Sequence, residues 1–134
     1  MKRAVSHAHA GTFTQAAGRV VLAHDERHLR RRLLILEDGG EVLVDFPAAV
    51  VLADGDALVL EDGALVAVTA APEPLYAVTA RDAVHLARLC WHLGNRHLPA
   101  EIGKDRILIG RDHVIRDMLA GLGATVTEIV APFS

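Results

Sequence analysis

Short apolar runs separated by turn residues fill the first half of the chain, and the spacing changes after residue 70. Val20-Val21-Leu22, Leu33 to Leu36, Val42-Leu43-Val44, Val50-Val51-Leu52, Leu58-Val59-Leu60 and Leu65 to Val68 are all too short for helices. Between them stand Asp38-Gly39-Gly40, Asp54-Gly55 and Asp62-Gly63. Such pairs are hairpin signals, because tight turns need positive φ at their centre. The pattern predicts an all-β unit over residues 1–71. Its continuous apolar runs argue for strands covered on both faces, as in a small sandwich. Residues 1–16 have mixed polarity and no clear period, and predict a loosely tied or single-strand start.

Ala70-Ala71-Pro72-Glu73-Pro74 closes this half. Two prolines in three residues remove backbone donors and hold the chain extended, so a domain boundary is expected near residues 70–75. Beyond it the period becomes helical. Leu75 to Val78 reads as a strand. Thr79 with Asp82 resembles a capping box, and a helix follows with Val84, Ala87, Cys90 and Trp91 near one side and Leu86, Leu89 and Leu93 near another. So broad an apolar face is partly available to a second subunit. Ala100 to Gly103 and Arg106 to Ile109 read as two strands joined through Lys104-Asp105. Asp112 is a natural N-cap, and Val114, Ile115, Met118, Leu119 and Leu122 form a stripe at helical spacing. Gly121 and Gly123 close that helix, and Thr125 to Val130 is a last strand. The chain is thus α+β in two small domains, 1–71 and 75–134, the second with the β-α-β-β-α-β order of a ferredoxin-like fold.

Composition narrows the partners. Half of the 134 residues are apolar and only 4 % aromatic, so the cores must be built from Val, Leu and Ala. A formal net charge of −3 gives no general reason to expect nucleic acid or an anionic membrane. The one dense cationic run, Arg30-Arg31-Arg32, has no interleaved aromatics and is partly balanced by Asp25 and Glu26; it reads as a solvated strand start rather than a single-strand binding surface. The single cysteine, Cys90, has no internal disulfide partner, which fits a reducing compartment. No apolar run approaches the roughly 20 residues of a spanning helix, and Ser6-His7-Ala8-His9 interrupts anything like a signal-peptide core. A soluble, cytoplasmic protein is expected.

The chemistry concentrates in Trp91-His92-Leu93-Gly94-Asn95-Arg96-His97-Leu98-Pro99. On a regular helix His92 and His97 would lie about 140° apart, too far round to share one ion. Gly94-Asn95 is a good left-handed cap pair. It would end the helix between them, leaving His92 helix-bound and favourably placed near the dipole, and His97 exposed. His97 is the better ligand, with His92 as a supporting position. Imidazole suits Ni²⁺, Cu²⁺ or Zn²⁺. One His97 per chain, doubled across a two-fold dimer, would give two protein ligands and leave the other positions open, which suits delivery better than storage. Such a site would weaken below about pH 6, where imidazole protonates. His24 and His28 have no fixed geometry and are assigned no metal, and His85 reads as structural.

In wording and spacing this segment resembles the signature of the urease accessory protein E family, the nickel chaperones of urease maturation. Asp25 to Arg32, Leu36-Glu37-Asp38-Gly39 and Leu52 to Leu58 are similar, in order and spacing, to that family's amino-terminal β domain, which serves protein–protein contact. The resemblance covers about Arg19 to Phe133. It implies that His97 binds metal at a homodimer interface made by the carboxy-terminal domains, and that His113 is a second, peripheral ligand. It also implies Ni²⁺ as cargo, and as partners the urease GTPase accessory protein and apo-urease. Some relatives have a further histidine where this chain has Arg111, and many extend past the Pro132-Phe133 pair into a histidine-bearing tail. Few ions per dimer are therefore expected.

Enzyme readings fare poorly. There is no His-Glu-x-x-His, phosphate loop or Gly-x-Ser-x-Gly elbow. Cys90 and His92 would lie about 160° apart on a helix, so no dyad forms and Cys90 reads as a small buried apolar residue. Two readings remain beside a small metallohydrolase: a nickel metallochaperone without catalytic activity, and a protein-interaction adaptor whose histidines are structural.

Overall fold

A computed structural model describes residues 1–134 as two compact units, one formed by Met1–Ala71 and one by Pro72–Phe133. The first contains β1 (Lys2–Ala8), β2 (Gly18–Leu22), β3 (His28–Ile35), β4 (Glu41–Val51), β5 (Ala57–Leu60) and β6 (Leu65–Ala70), with one 3-10 turn at Asp25–Arg27 before β3. All six strands belong to a single mixed sheet in the order β2-β6-β5-β1-β4-β3. The expected pair of facing sheets is absent. Burial alternates along β4 and β6, so these strands have one covered face. The sheet closes over its own core: Glu37, two residues beyond β3, donates its N–H to the carbonyl of Arg19 in β2 at 3.0 Å, joining the two outer edges. Val20, Leu34, Val44, Phe46, Leu58 and Val68 meet in that core.

Two sequence expectations change here. The mixed-polarity start is β1, a central strand paired parallel with β4 and antiparallel with β5. Val42–Val44 and Val50–Val51, read as separate runs, belong to one strand. Between them β4 bulges: Arg31 pairs with Asp45 but Leu29 pairs with Val50, so β4 holds extra residues there, among them Pro47. A bulge is where a strand accepts a residue without an N–H.

The second unit runs β7 (Pro72–Thr79), α1 (Ala83–Gly94), β8 (Ala100–Ile102), β9 (Arg106–Gly110), α2 (His113–Gly121) and β10 (Thr125–Pro132). Its sheet order, β10-β7-β9-β8, with every pairing antiparallel, is the ferredoxin-like arrangement expected. Pro72 and Pro74, within the range where a domain boundary was expected, lie inside β7. They pair with β10 on one side only, since β9 joins β7 from Leu75 onward, and a missing N–H costs least on such a single-neighbour stretch. Tyr76, Val78, Ile107 and Ile109 meet Leu89, Leu93, Ile115 and Leu119 of the two helices. Leu75, Ala77 and Leu108, on the alternate positions, cluster with Phe133. Val114, placed in the apolar stripe of α2 by its spacing, is 54 % exposed.

Candidate metal centre

α1 is what positions the site. It starts on Asp82, whose carboxylate accepts the N–H of His85 at 2.7 Å. Asp82 is thus itself the N-cap, and Thr79, the expected partner of a capping box, is still in β7. His85 is 3 % exposed and braces both helices. Its Nδ1 accepts the Arg81 N–H at 3.1 Å, so Nε2 carries the proton and donates to the Leu122 carbonyl at 2.8 Å, at the end of α2. With both nitrogens engaged it has no lone pair for an ion, as the structural reading of this residue requires.

At the other end the helix stops differently from the expectation. Gly94 is the last helical residue and Asn95 keeps right-handed geometry at φ −69°. The turn then tightens, with Arg96 N–H donating to Leu93 O at 3.0 Å and His97 N–H to Gly94 O at 3.2 Å. The left-handed residue is His97 itself, at φ +55°, the one non-glycine residue of the chain with positive φ. Left-handed backbone crowds Cβ against the following carbonyl and costs roughly 1–2 kcal/mol. His97 is exposed, as are Asn95 and Arg96 before it, and Leu98 behind it is half-buried. The imidazole therefore stands at the tip of a rigid element on a backbone that turns sharply away beneath it.

His113 is the first residue of α2, directly after Asp112, which caps the helix by accepting the N–H groups of Val114 at 2.9 Å and Ile115 at 3.1 Å. It is exposed. The pairing of β8 with β9 sets Ala100 beside Ile109, and this brings the neighbours of both histidines together. Leu98 and Pro99, after His97, and Arg111 and Asp112, before His113, line one open cavity of ≈ 260 Å³ with Ile109, Ile115 and Phe133. His92 sits half-buried on the last turn of α1, its ring edge-on to Trp91 with centroids 5.1 Å apart. Cys90, expected to be buried, is half-buried beside a second cavity lined by Leu93, Gly94 and Ile102.

No three His, Cys, Asp or Glu side chains come together as a metal cage in the chain. Arg111, two residues before His113, is a clamp: Nε donates to Leu75 O at 3.2 Å, Nη2 donates to Ile129 O at 3.0 Å, and Nη1 pairs with Glu128 at 3.6 Å. Its role was not legible in the sequence, because nothing local marks a contact across three strands.

The family model for the N-terminal domain of the UreE urease accessory protein matches residues 3–71, and that for its C-terminal domain matches residues 73–134. The chain belongs to the UreE family. It is 60 % identical over 133 residues to the urease accessory protein UreE of Mesorhizobium japonicum, covering 98 % of this chain and 68 % of that one. It is 55 % identical over 134 residues to UreE of Rhizobium rhizogenes, covering 99 % and 80 %. With UreE 1 of Brucella suis it shares 54 % over 131 residues, covering 98 % and 81 %.

For a UreE chain the arrangement has a simple chemical meaning. The second unit offers exposed imidazoles one at a time, at His97 and His113, without thiolates or a carboxylate cage. That donor set fits a borderline divalent ion held at an incomplete coordination sphere. No helix is long and apolar enough to cross a membrane.

Proposed function

We propose that this chain is a nickel-binding metallochaperone that delivers Ni²⁺ for assembly of the urease active site and has no catalytic activity of its own. The observation that carries the reading is His97, an exposed imidazole in strained left-handed backbone at the end of α1, in a chain of the UreE family. Strain of this kind persists at ligand clamps when the surrounding structure over-determines it. His113 is the second ligand and His92 a supporting one; Zn²⁺ and Cu²⁺ compete for the same nitrogens.

His97 gives the central site one imidazole per chain, with His113 peripheral to it, so a homodimer is part of that site. Val84, Ala87 and Trp91 form an exposed apolar strip at helical spacing on the outer side of α1, with Trp91 65 % and Val84 68 % exposed. This strip is the natural surface for a second copy, and it leads towards His97. The partners are the urease GTPase accessory protein and apo-urease, met in the cytoplasm.

Nickel titration of the wild type and His97→Ala, with oligomeric state followed in parallel, tests the reading. The expected result is loss of the tightest nickel site with the dimer retained. Unchanged affinity in the variant would remove His97 from the site. No nickel binding by the wild type would leave the protein-interaction adaptor.

A further inference from the structure

A second histidine arrangement lies in the first unit. β1 runs out through Ser6-His7-Ala8-His9. Residues two apart on extended backbone share a face, and the two rings stand edge-on with centroids 5.6 Å apart and an interplanar angle of 87°. A bulge decides which face this is. Ala4 pairs with Leu60 but Ser6 pairs with Val59, so Val5 is an extra residue and the alternation resets. His7 consequently lies opposite the buried Leu58, with its ring 5.8 Å from that of the buried Phe46. Bulges that re-aim a side chain recur beside functional sites.

His7 is half-buried, and its Nδ1 is out of contact with solvent and meets no hydrogen-bond partner in the chain. A nitrogen desolvated in this way is a cost unless something else takes its proton or lone pair. His9 is exposed, but its backbone is fixed. Its carbonyl accepts both the N–H of Thr12 at 3.2 Å and the Thr12 hydroxyl at 2.6 Å. The next N–H, of Ala10, donates to the Asp56 carboxylate at 2.9 Å, and that carboxylate is anchored in turn by the Ala53 N–H at 2.9 Å. Two imidazoles sharing one tetrahedral ion at metal–nitrogen distances of about 2.1 Å have ring centres about 5 Å apart. The observed spacing needs only a small ring adjustment to reach that.

We propose that His7 and His9 form a two-imidazole site for a divalent transition ion of the Cu²⁺, Ni²⁺ and Zn²⁺ class. It lies in the first unit and is independent of His97. With two neutral donors and no carboxylate it holds its ion exchangeably, the remaining positions going to water or to a donor from another molecule.

The full chain carrying His92→Ala, His97→Ala and His113→Ala removes the second unit's ligands from the count. Cu²⁺ is the probe, since it binds nitrogen donors most strongly among these ions. Calorimetric titration should give one Cu²⁺ equivalent per chain, with electron paramagnetic resonance showing two-nitrogen hyperfine structure. Adding His9→Ala, at an exposed position, should abolish that equivalent. Adding His7→Phe, which keeps a ring against Phe46, should do the same. An unchanged Cu²⁺ count in either variant overturns the site. So does loss of the equivalent only when the other close pair, His24 and His28 at 5.3 Å, is replaced by alanine. These readouts stand whether or not His97 binds nickel in the wild type.

Discussion

A left-handed residue at the end of a helix is usually glycine, since a Cβ there is crowded. At His97 this preference and the proposed role as a ligand pull in opposite directions, and the imidazole is what the chain carries. The tension is measurable. His97→Gly and His97→Ala both remove the ring, but only glycine relieves the backbone, so His97→Gly should be the more stable of the two by about 1 kcal/mol in urea unfolding. Equal stability would mean that the strain is absorbed elsewhere. His85 makes a contrasting case. Replacing it by alanine leaves the Leu122 carbonyl and the Arg81 N–H without their partner, at a cost of about 1–3 kcal/mol each way the bonds are counted, while nickel affinity per folded chain stays unchanged. Sequence reasoning read His85 as structural, and both of its ring nitrogens are engaged within the chain. It misplaced the left-handed turn, because Gly94-Asn95 has the right composition for a cap while the hydrogen-bond run continues to His97. The His7–His9 pair was visible only as an interruption of an apolar start; the bulge that sets His7 opposite Leu58 is a property of pairing with β5.

Element ends carry much of the candidate site. Asp112→Ala removes both acceptor contacts at the start of α2 and should cost about 0.5–2 kcal/mol. Thermal melting would read that loss, and weaker Ni²⁺ binding at His113 should accompany it as the first turn frays. In the first unit, β1 and β4 are tied on the solvent side by Arg3 and Asp45. The hydrogen bond from Arg3, helped by its charge, holds the Asp45 carboxyl below its ordinary value. Because the folded state has the lower value, the stabilisation is present above the unfolded carboxylate range and is lost as pH falls through the folded value. Wild type and Asp45→Asn should therefore differ slightly near neutrality and converge in acid, which urea midpoints across pH would show. The second unit's element order was legible because its turns, caps and stripes are local. The two units divide at Ala71 and Pro72, but that Pro72 and Pro74 already belong to a strand was not legible, since their tolerance depends on where β9 stops pairing, which no local pattern records.

For the whole molecule, the proposed dimer links two observations made separately, an exposed apolar helix face and a one-imidazole site. Trp91→Glu should give monomers in sedimentation equilibrium and weaken Ni²⁺ binding with His97 intact; a monomer that keeps full affinity would show that the site is complete within one chain. The central place of β1 has a consequence of another kind, for how the chain is made. During synthesis this strand emerges first, yet its neighbours are β4 and β5, the latter ending at Leu60. At about 5–20 residues per second the first strand waits several seconds without a partner. The sheet cannot zip up from one end as a run of hairpins would; it must assemble around a segment already waiting, and such non-local pairing is slow. Its polar stretches, from Lys2 and Arg3 to the histidines at its end, keep that unpaired strand soluble while the rest of the unit is still being built.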